Sequence, residues 1–232
     1  MINIVIFAAG RGSRLGASIP KFLVEVAKTP IFLHQFQALG NLDAEIYIVI
    51  GYRASAVLQL VLEDLQVTGA SWRRRLTFIY NEDYRSPQFG SICRALNVVP
   101  LTRPTLFIDG DMVFDSETVE QLATCNQTSV VVRETISADG VIADTEQNRV
   151  LRFRRGTDGQ FEWGNLAFYD TDALEQLSRI VKECKLAHHY ELINELILRG
   201  KQVNFQVADL AEVDDVDDLP LAEHFVRRQH EP

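Results

Sequence analysis

The chain is short of cysteine, short of positive charge and without any long apolar run. Three cysteines in 232 residues, Cys93, Cys125 and Cys184, are scattered and odd in number, which excludes a disulfide framework and a CxxC metal site and predicts reduced, mostly buried thiols. Lysine and arginine total 23 against 32 acidic residues, a formal net charge of −9. A chain that acidic presents no broad basic face, so duplex nucleic acid and an anionic membrane surface are excluded as main partners. No stretch approaches the roughly 18 apolar residues of a membrane helix, so no membrane insertion is expected. The N-terminus carries neither a basic leader nor a small-residue cleavage site, which predicts a cytoplasmic protein. The five histidines fit no HExxH or related ligand spacing.

What is present is an alternation. NIVIFAA, EIYIVIG, RLTFIYN and PTLFIDG are β-branched runs, and PIFLHQFQALGNL, ASAVLQLVLEDLQ and FGSICRALNVV between them have helical period. That alternation predicts an α/β fold: a Rossmann-like, mainly parallel sheet flanked by helices. After Asp111 the rhythm changes. SETVEQLAT is helical, TSVVVRE, ADGVIADTEQNRVLRFRR and GQFEWGNLAFYD read as strands with polar or glycine turns, and two helices, a strand and a last helix follow. We expect one domain over 1–232 with a small β-hairpin insertion in its C-terminal half. Residues 1–125 form the expected nucleotide-binding half and 126–232 the acceptor-binding half.

The first strand runs into AAGRGSRLG, a glycine loop that also carries Arg11 and Arg14, with Pro20-Lys21 just beyond. Backbone N–H groups of such a loop converge on phosphate, and glycine lets the chain approach closely. The spacing GxGxxxG is neither a Walker loop nor a dinucleotide fingerprint. The second strand ends Gly51-Tyr52-Arg53 where a ribose-binding acid would stand, which disfavours nicotinamide. The stretch AAGRGSRLG followed by PK resembles the signature of the nucleotidyltransferases that share the sugar-nucleotide and MobA-like molybdopterin-nucleotide transferase fold. The resemblance implies that Ala8, Ala9, Gly10, Arg11, Gly12, Ser13 and Arg14 contact a nucleoside triphosphate, and that Lys21, Arg11 and Arg14 are the catalytic cations.

Two acidic stretches extend the likeness. FIDGDMVF places Asp109 and Asp111 at the end of the fourth strand, where carboxylates suit a hard ion such as Mg²⁺; alone, Asp-Gly is equally a turn. The stretch AEVDDVDDLP near the C-terminus reads by itself as a helix cap. By resemblance Asp111 and Asp214 are the metal ligands and Asp109 supports the nucleotide site; Asp217 and Asp218 stay with the helix-cap reading, and Asp215 is left unassigned. The segment NEDYRSPQFGSICRAL is similar to one in the bacterial phosphocholine cytidylyltransferases, which implies CTP as the nucleotide and assigns Asn81 and Ser91 to its site. Gln88-Phe89 departs from that pattern. Arg133, Trp163, Tyr190 and Glu191 are the candidate acceptor residues: aromatics and a carboxylate suit an ammonium group, an arginine suits an anion. Implied are a Mg²⁺-dependent transfer of a cytidylyl group to a small phosphorylated or phosphonylated acceptor, with pyrophosphate released. The rival readings are a sugar-1-phosphate or cofactor nucleotidyltransferase using UTP, GTP or dTTP, and a non-catalytic nucleotide-binding module.

Overall fold

The computed structural model describes residues 1–15, 19–67 and 76–229. The chain opens with β1 (Ile2–Ala8), 3₁₀ turns at Ser13–Leu15 and Lys21–Leu23, and a ribbon of β2 (Glu25–Val26) and β3 (Thr29–Pro30). α1 (Ile31–Ala38) leads to β4 (Ala44–Ile50), α2 (Ala54–Val67) to β5 (Leu76–Tyr80), and α3 (Phe89–Leu96) to β6 (Thr105–Asp109). β7 (Met112–Val113) and α4 (Ser116–Thr124) precede β8 (Ser129–Arg133), β9 (Val141–Glu146), β10 (Arg149–Arg155) and β11 (Phe161–Tyr169). α5 (Thr171–Glu183), α6 (His189–Leu198), β12 (Asn204–Val207), β13 (Ala211–Glu212) and α7 (Leu219–Gln229) follow.

The expected α/β architecture is what forms. β5, β4, β1 and β6 lie side by side and parallel, and β1 and β4 are buried almost throughout, as strands covered by helices on both faces must be. Their carboxyl ends therefore share one edge, and the glycine loop, Tyr52, Asn81 and Asp109 gather there. The second half of the sheet is built differently. The expected hairpin is β9 with β10, whereas β11 is no insertion strand: it lies antiparallel between β6 and β8 in the main sheet. Its first residues also pair with β9. β11 is buried at every residue but Asn165, and a strand buried on both faces belongs in the sheet interior.

Aspartates cap two helices: Asp115 accepts from Thr118 N at 2.7 Å and Asp170 from Ala173 N at 2.9 Å. Two large apolar cores fill the two faces of the sheet, and a third, smaller one joins Leu15, Val24, Val26, Ile31, Val113, Val213 and Phe225. That third core packs the glycine loop, both short ribbons and α7 together. The cysteines are free, as expected, but none is fully buried: Cys93 and Cys184 are half-buried and Cys125 is exposed. Cys125 and Cys184 end α4 and α5, where helices reach the surface.

His189 is the buried polar group of the first core. It sits among Phe7, Phe107, Trp163 and Tyr169, with Nε2 2.7 Å from the Tyr169 hydroxyl. Burial pushes its pKa down to about 3, so the native imidazole stays neutral while the unfolded one takes up a proton below about 6.5. Stability contributed by this residue is therefore present above that value and is lost as pH falls toward 3. Urea denaturation at pH 7.0 and 5.5 checks it: wild type should lose roughly 1 kcal/mol more than His189→Gln between the two, and equal losses would contradict the assignment.

Candidate active site

Residues from three distant parts of the chain meet at the carboxyl edge of the sheet, and a short ladder brings them there. β7 and β13 pair antiparallel with Met112 opposite Glu212, and Val213 N donates to Asp111 O at 3.0 Å. That register sets Asp111 beside Asp214. Asp218 then accepts from the backbone N–H of Asp214 and of Asp215, at 2.8 and 2.9 Å, which fixes the turn before α7. Gly110, between Asp109 at the end of β6 and Asp111 just beyond it, lies against β1: a Cβ there would stand 2.8 Å from Phe7 O. The Asp-Gly-Asp spacing is thus required by close backbone approach.

The cation arrives from the other side. Pro20 precedes the turn of Lys21–Leu23, whose Phe22 and Leu23 are buried. Lys21 Nζ donates to Asp111 Oδ2 at 2.9 Å and also to Asp214 Oδ1. Gly12 makes room for it: its φ is +63°, and a Cβ would meet Lys21 Cγ at 2.7 Å. Burial alone would lower the Lys21 pKa, but the two carboxylates override it and hold the ammonium above the ordinary lysine value. Arg14 Nη1 reaches Asp214 at 3.2 Å and Asp139 at 3.8 Å. Arg11 points elsewhere, over the Tyr52 ring at 5.7 Å. The side chain of Ser13, and Gly16 at the end of the motif, lie outside the described residues.

Carboxylates outnumber cations here. Asp111, Glu212 and Asp214 each offer an oxygen within 4.8 Å of the others, and Asp111 Oδ1 is buried without a partner. Burial and Asp111 push Glu212 up to about 8, against the pull of Arg133. Burial and Asp111 likewise hold Asp109 well above the usual carboxylate range, against the hydrogen bond it accepts from Gln88 Nε2 at 2.5 Å. A set of three carboxylates in which Asp111 Oδ1 keeps its lone pairs unengaged fits a hard divalent cation. Glu212 is the residue that sequence reasoning passed over; the signal was the glutamate two positions before Asp214.

Among the described residues, a cavity of about 430 Å³ lined by Arg14, Arg133, Glu212 and Asp214 among others borders this cluster, and two smaller ones meet at Asp109. One of about 240 Å³ is lined by Phe7, Ala9, Gly10, Tyr84, Gln88, Ser91, Asp109 and Asp111. Gly10 faces open space, and Asn81, buried, donates to Ser91 Oγ at 3.0 Å and so holds that hydroxyl at the cavity wall. Ala8 is buried at the end of β1. The second cavity, about 220 Å³, is lined by Arg14, Ser137, Asp139, Glu162, Trp163, Asn165 and Tyr190 among others, and also reaches Gln88 and Asp109. Gln88, the departure from the relatives' pattern, thus touches both. Of the expected acceptor residues, Trp163 and Tyr190 line this cavity. Tyr190 stacks on His188 and lies under Arg155. Glu191 is instead engaged in capping α6, its Oε2 accepting from Ala187 N at 2.7 Å and His188 N at 2.9 Å. Arg133 lines the largest of these cavities and gives Nη2 to Glu162 at 2.7 Å and to Glu212 at 3.0 Å.

Known proteins resemble this chain in family and fold. The profile of the MobA-like NTP transferase domain matches residues 4–196. A bifunctional protein GlmU of Cupriavidus metallidurans is 24% identical over 212 residues, 91% of this chain and 44% of that protein; the chain spans less than half the length of the curated relatives it matches. Among solved structures, the CTP:phosphocholine cytidylyltransferase of Streptococcus pneumoniae superposes with a TM-score of 0.77 at 17% identity, covering 97% of this chain and 99% of that one. The inositol-1-phosphate CTP transferase of T. maritima gives 0.77 at 15%, covering 99% and 97%. A candidate glucose-1-phosphate thymidylyltransferase of Bacillus anthracis gives 0.78 at 16%, covering 98% and 96%. These likenesses place the fold, and the profile places the chain: it belongs to the MobA-like NTP transferases.

Proposed function

We propose that the protein is a nucleotidyltransferase that joins CTP to a small phosphorylated acceptor of phosphocholine-like size and releases pyrophosphate. The observation that carries the proposal is the seating of Lys21 Nζ between Asp111 and Asp214, at sequence separations of 90 and 193 residues. The preference for CTP rests on the resemblance of the Asn81–Ser91 segment and on two structural relatives named for their use of CTP.

An acceptor phosphate is already an anion, so attack on the α-phosphorus needs no general base. One P–O bond forms at that phosphorus as the α–β bridging bond breaks and pyrophosphate departs with its electron pair. What the site must supply is alignment and relief of repulsion between polyanions. Lys21 uses two of its three N–H donors on carboxylates, which leaves one for a phosphate oxygen. Arg14, on the rim shared with the acceptor cavity, is the second cation. Arg11 lies at the outer end of the glycine loop. The triphosphate follows that loop from the cavity where Ser91 and Gln88 face the nucleoside. Asp111, Glu212 and Asp214 would hold Mg²⁺, which when bound neutralises triphosphate charge and polarises the reacting phosphoryl group.

The acceptor cavity offers Trp163 and Tyr190 with Asp139 and Glu162 nearby, a set that suits an ammonium headgroup. Its Ser137, Asn165 and His188 favour a second reading, a hydroxyl-rich sugar or cyclitol phosphate.

Pyrophosphate release from each of four NTPs against phosphocholine, hexose 1-phosphates and inositol phosphate tests both. CTP with phosphocholine should turn over only with Mg²⁺, and Asp111→Ala should abolish turnover while the fold is kept. Tight nucleotide binding without turnover in every pairing would overturn the proposal. Gly12→Ala should cut kcat at least tenfold with a Tm within a few degrees of wild type, because the new Cβ displaces Lys21; unchanged kcat would contradict the role of that lysine.

A further inference from the structure

Behind the cation cluster lies a partly buried triad, of which only Glu212 has a part in the transfer reaction proposed above. Arg133 at the end of β8 and Glu162 in β11 are cross-strand partners. The arginine Nη2 bridges Glu162 Oε1 and Glu212 Oε2, and its Nε is buried with no partner. Glu162 in turn accepts from Ser137 N at 2.5 Å and from Ser137 Oγ at 2.8 Å. The loop carrying Ser137 presses so closely on that carboxylate that a Cβ on Gly140 would stand 2.9 Å from it. Ser137, Asp139 and Gly140 all line the acceptor cavity.

Buried charge of this kind is poor value as stabilisation. Desolvating the three groups costs about as much as their attraction returns, and well-packed apolar residues often serve a core as well or better. Here one end of the triad is a member of the cation cluster and the other is tied to the acceptor loop. We propose that Arg133 is a positioning residue: held by Glu162, it aims Glu212 into the cluster as the third carboxylate and fixes the acceptor-side loop relative to it. The inference rests on the reading of Asp111, Glu212 and Asp214 as a cation site.

The sign of one substitution separates positioning from simple electrostatics. Arg133→Met removes a positive charge beside the cluster, so a purely electrostatic role predicts tighter cation binding. Positioning predicts weaker binding, because Glu212 loses the fork that aims it.

Calorimetric titration of the intact protein with Mn²⁺ alone, no nucleotide present, reads this directly. Glu212→Gln and Arg133→Met should each weaken Mn²⁺ binding about tenfold, and the double variant should also be about tenfold weaker, not a hundredfold, because both act through one carboxylate. Arg133→Lys, which keeps the charge and loses the fork, should fall between wild type and Arg133→Met. If Arg133→Met does not fold, the Arg133→Lys and Glu212→Gln cycle carries the same test. Asp111→Asn is the reference: if it binds Mn²⁺ like wild type, the cation-site reading fails. If it loses binding while folded Arg133 variants keep or gain affinity, or if the two losses multiply, the positioning role alone is overturned.

Discussion

The site is governed by repulsion between carboxylates. Asp111, Glu212 and Asp214 stand within a few ångströms of one another, and at such distances like charges in a partly buried setting cost several kcal/mol unless countered. The fold counters them with two inner cations, Lys21 from the front and Arg133 from behind. Neither cation is near in sequence to the group it balances, so the arrangement exists only if tertiary structure enforces it. The third core does so. Leu15 beneath the glycine loop, Val113 of β7, Val213 after β13 and Phe225 of α7 pack together, and burying those side chains locks the loop, the ladder and the last helix into one unit.

On that base the parallel half of the sheet contributes position. Because β1, β4, β5 and β6 all run the same way, their outgoing loops share an edge, the place where α/β sheets bind ligands. The antiparallel β11 ends the run of parallel strands and sets the cavity of Trp163 and Tyr190 beside that of Ser91 and Gly10. A bulge between Trp163 and Ala167 helps: Asn165 there has φ 58° and lines the cavity of Trp163 and Tyr190, the kind of re-aiming that bulges provide near sites. Gln88 and Asp109, hydrogen-bonded to each other, border both cavities.

Much of this was legible before any coordinates. The alternation of β-branched runs with helical periods fixed the α/β class, because burial on both faces leaves no other pattern for a parallel strand. Lys21, Asp111 and Asp214 were legible as a set through resemblance, since each sits in a recognisable local motif. Glu212 was not singled out, although it stands two positions before Asp214, because the four aspartates that follow drew the assignment of the stretch. The Arg133, Glu162 and Glu212 triad was invisible, as its members are 29 and 50 residues apart and only strand register brings them together. Glu191 was read for its charge, but the backbone N–H groups at the start of α6 claimed it. β11 was mistaken for a hairpin strand because glycine at 159 and 164 mimics turn punctuation, whereas Gly164 is a site of close approach to Val131 O and Leu210.

The central claim is that one crevice unites the glycine loop, Lys21 and the three carboxylates around a single triphosphate. Anomalous diffraction from crystals grown with Mn²⁺ and a non-hydrolysable CTP analogue tests it most directly. The expected map has a manganese peak bounded by Asp111 and Asp214, with the triphosphate along residues 9–14 and Lys21 Nζ on a phosphate oxygen. A manganese peak away from those carboxylates, or a triphosphate bound elsewhere on the molecule, would contradict it.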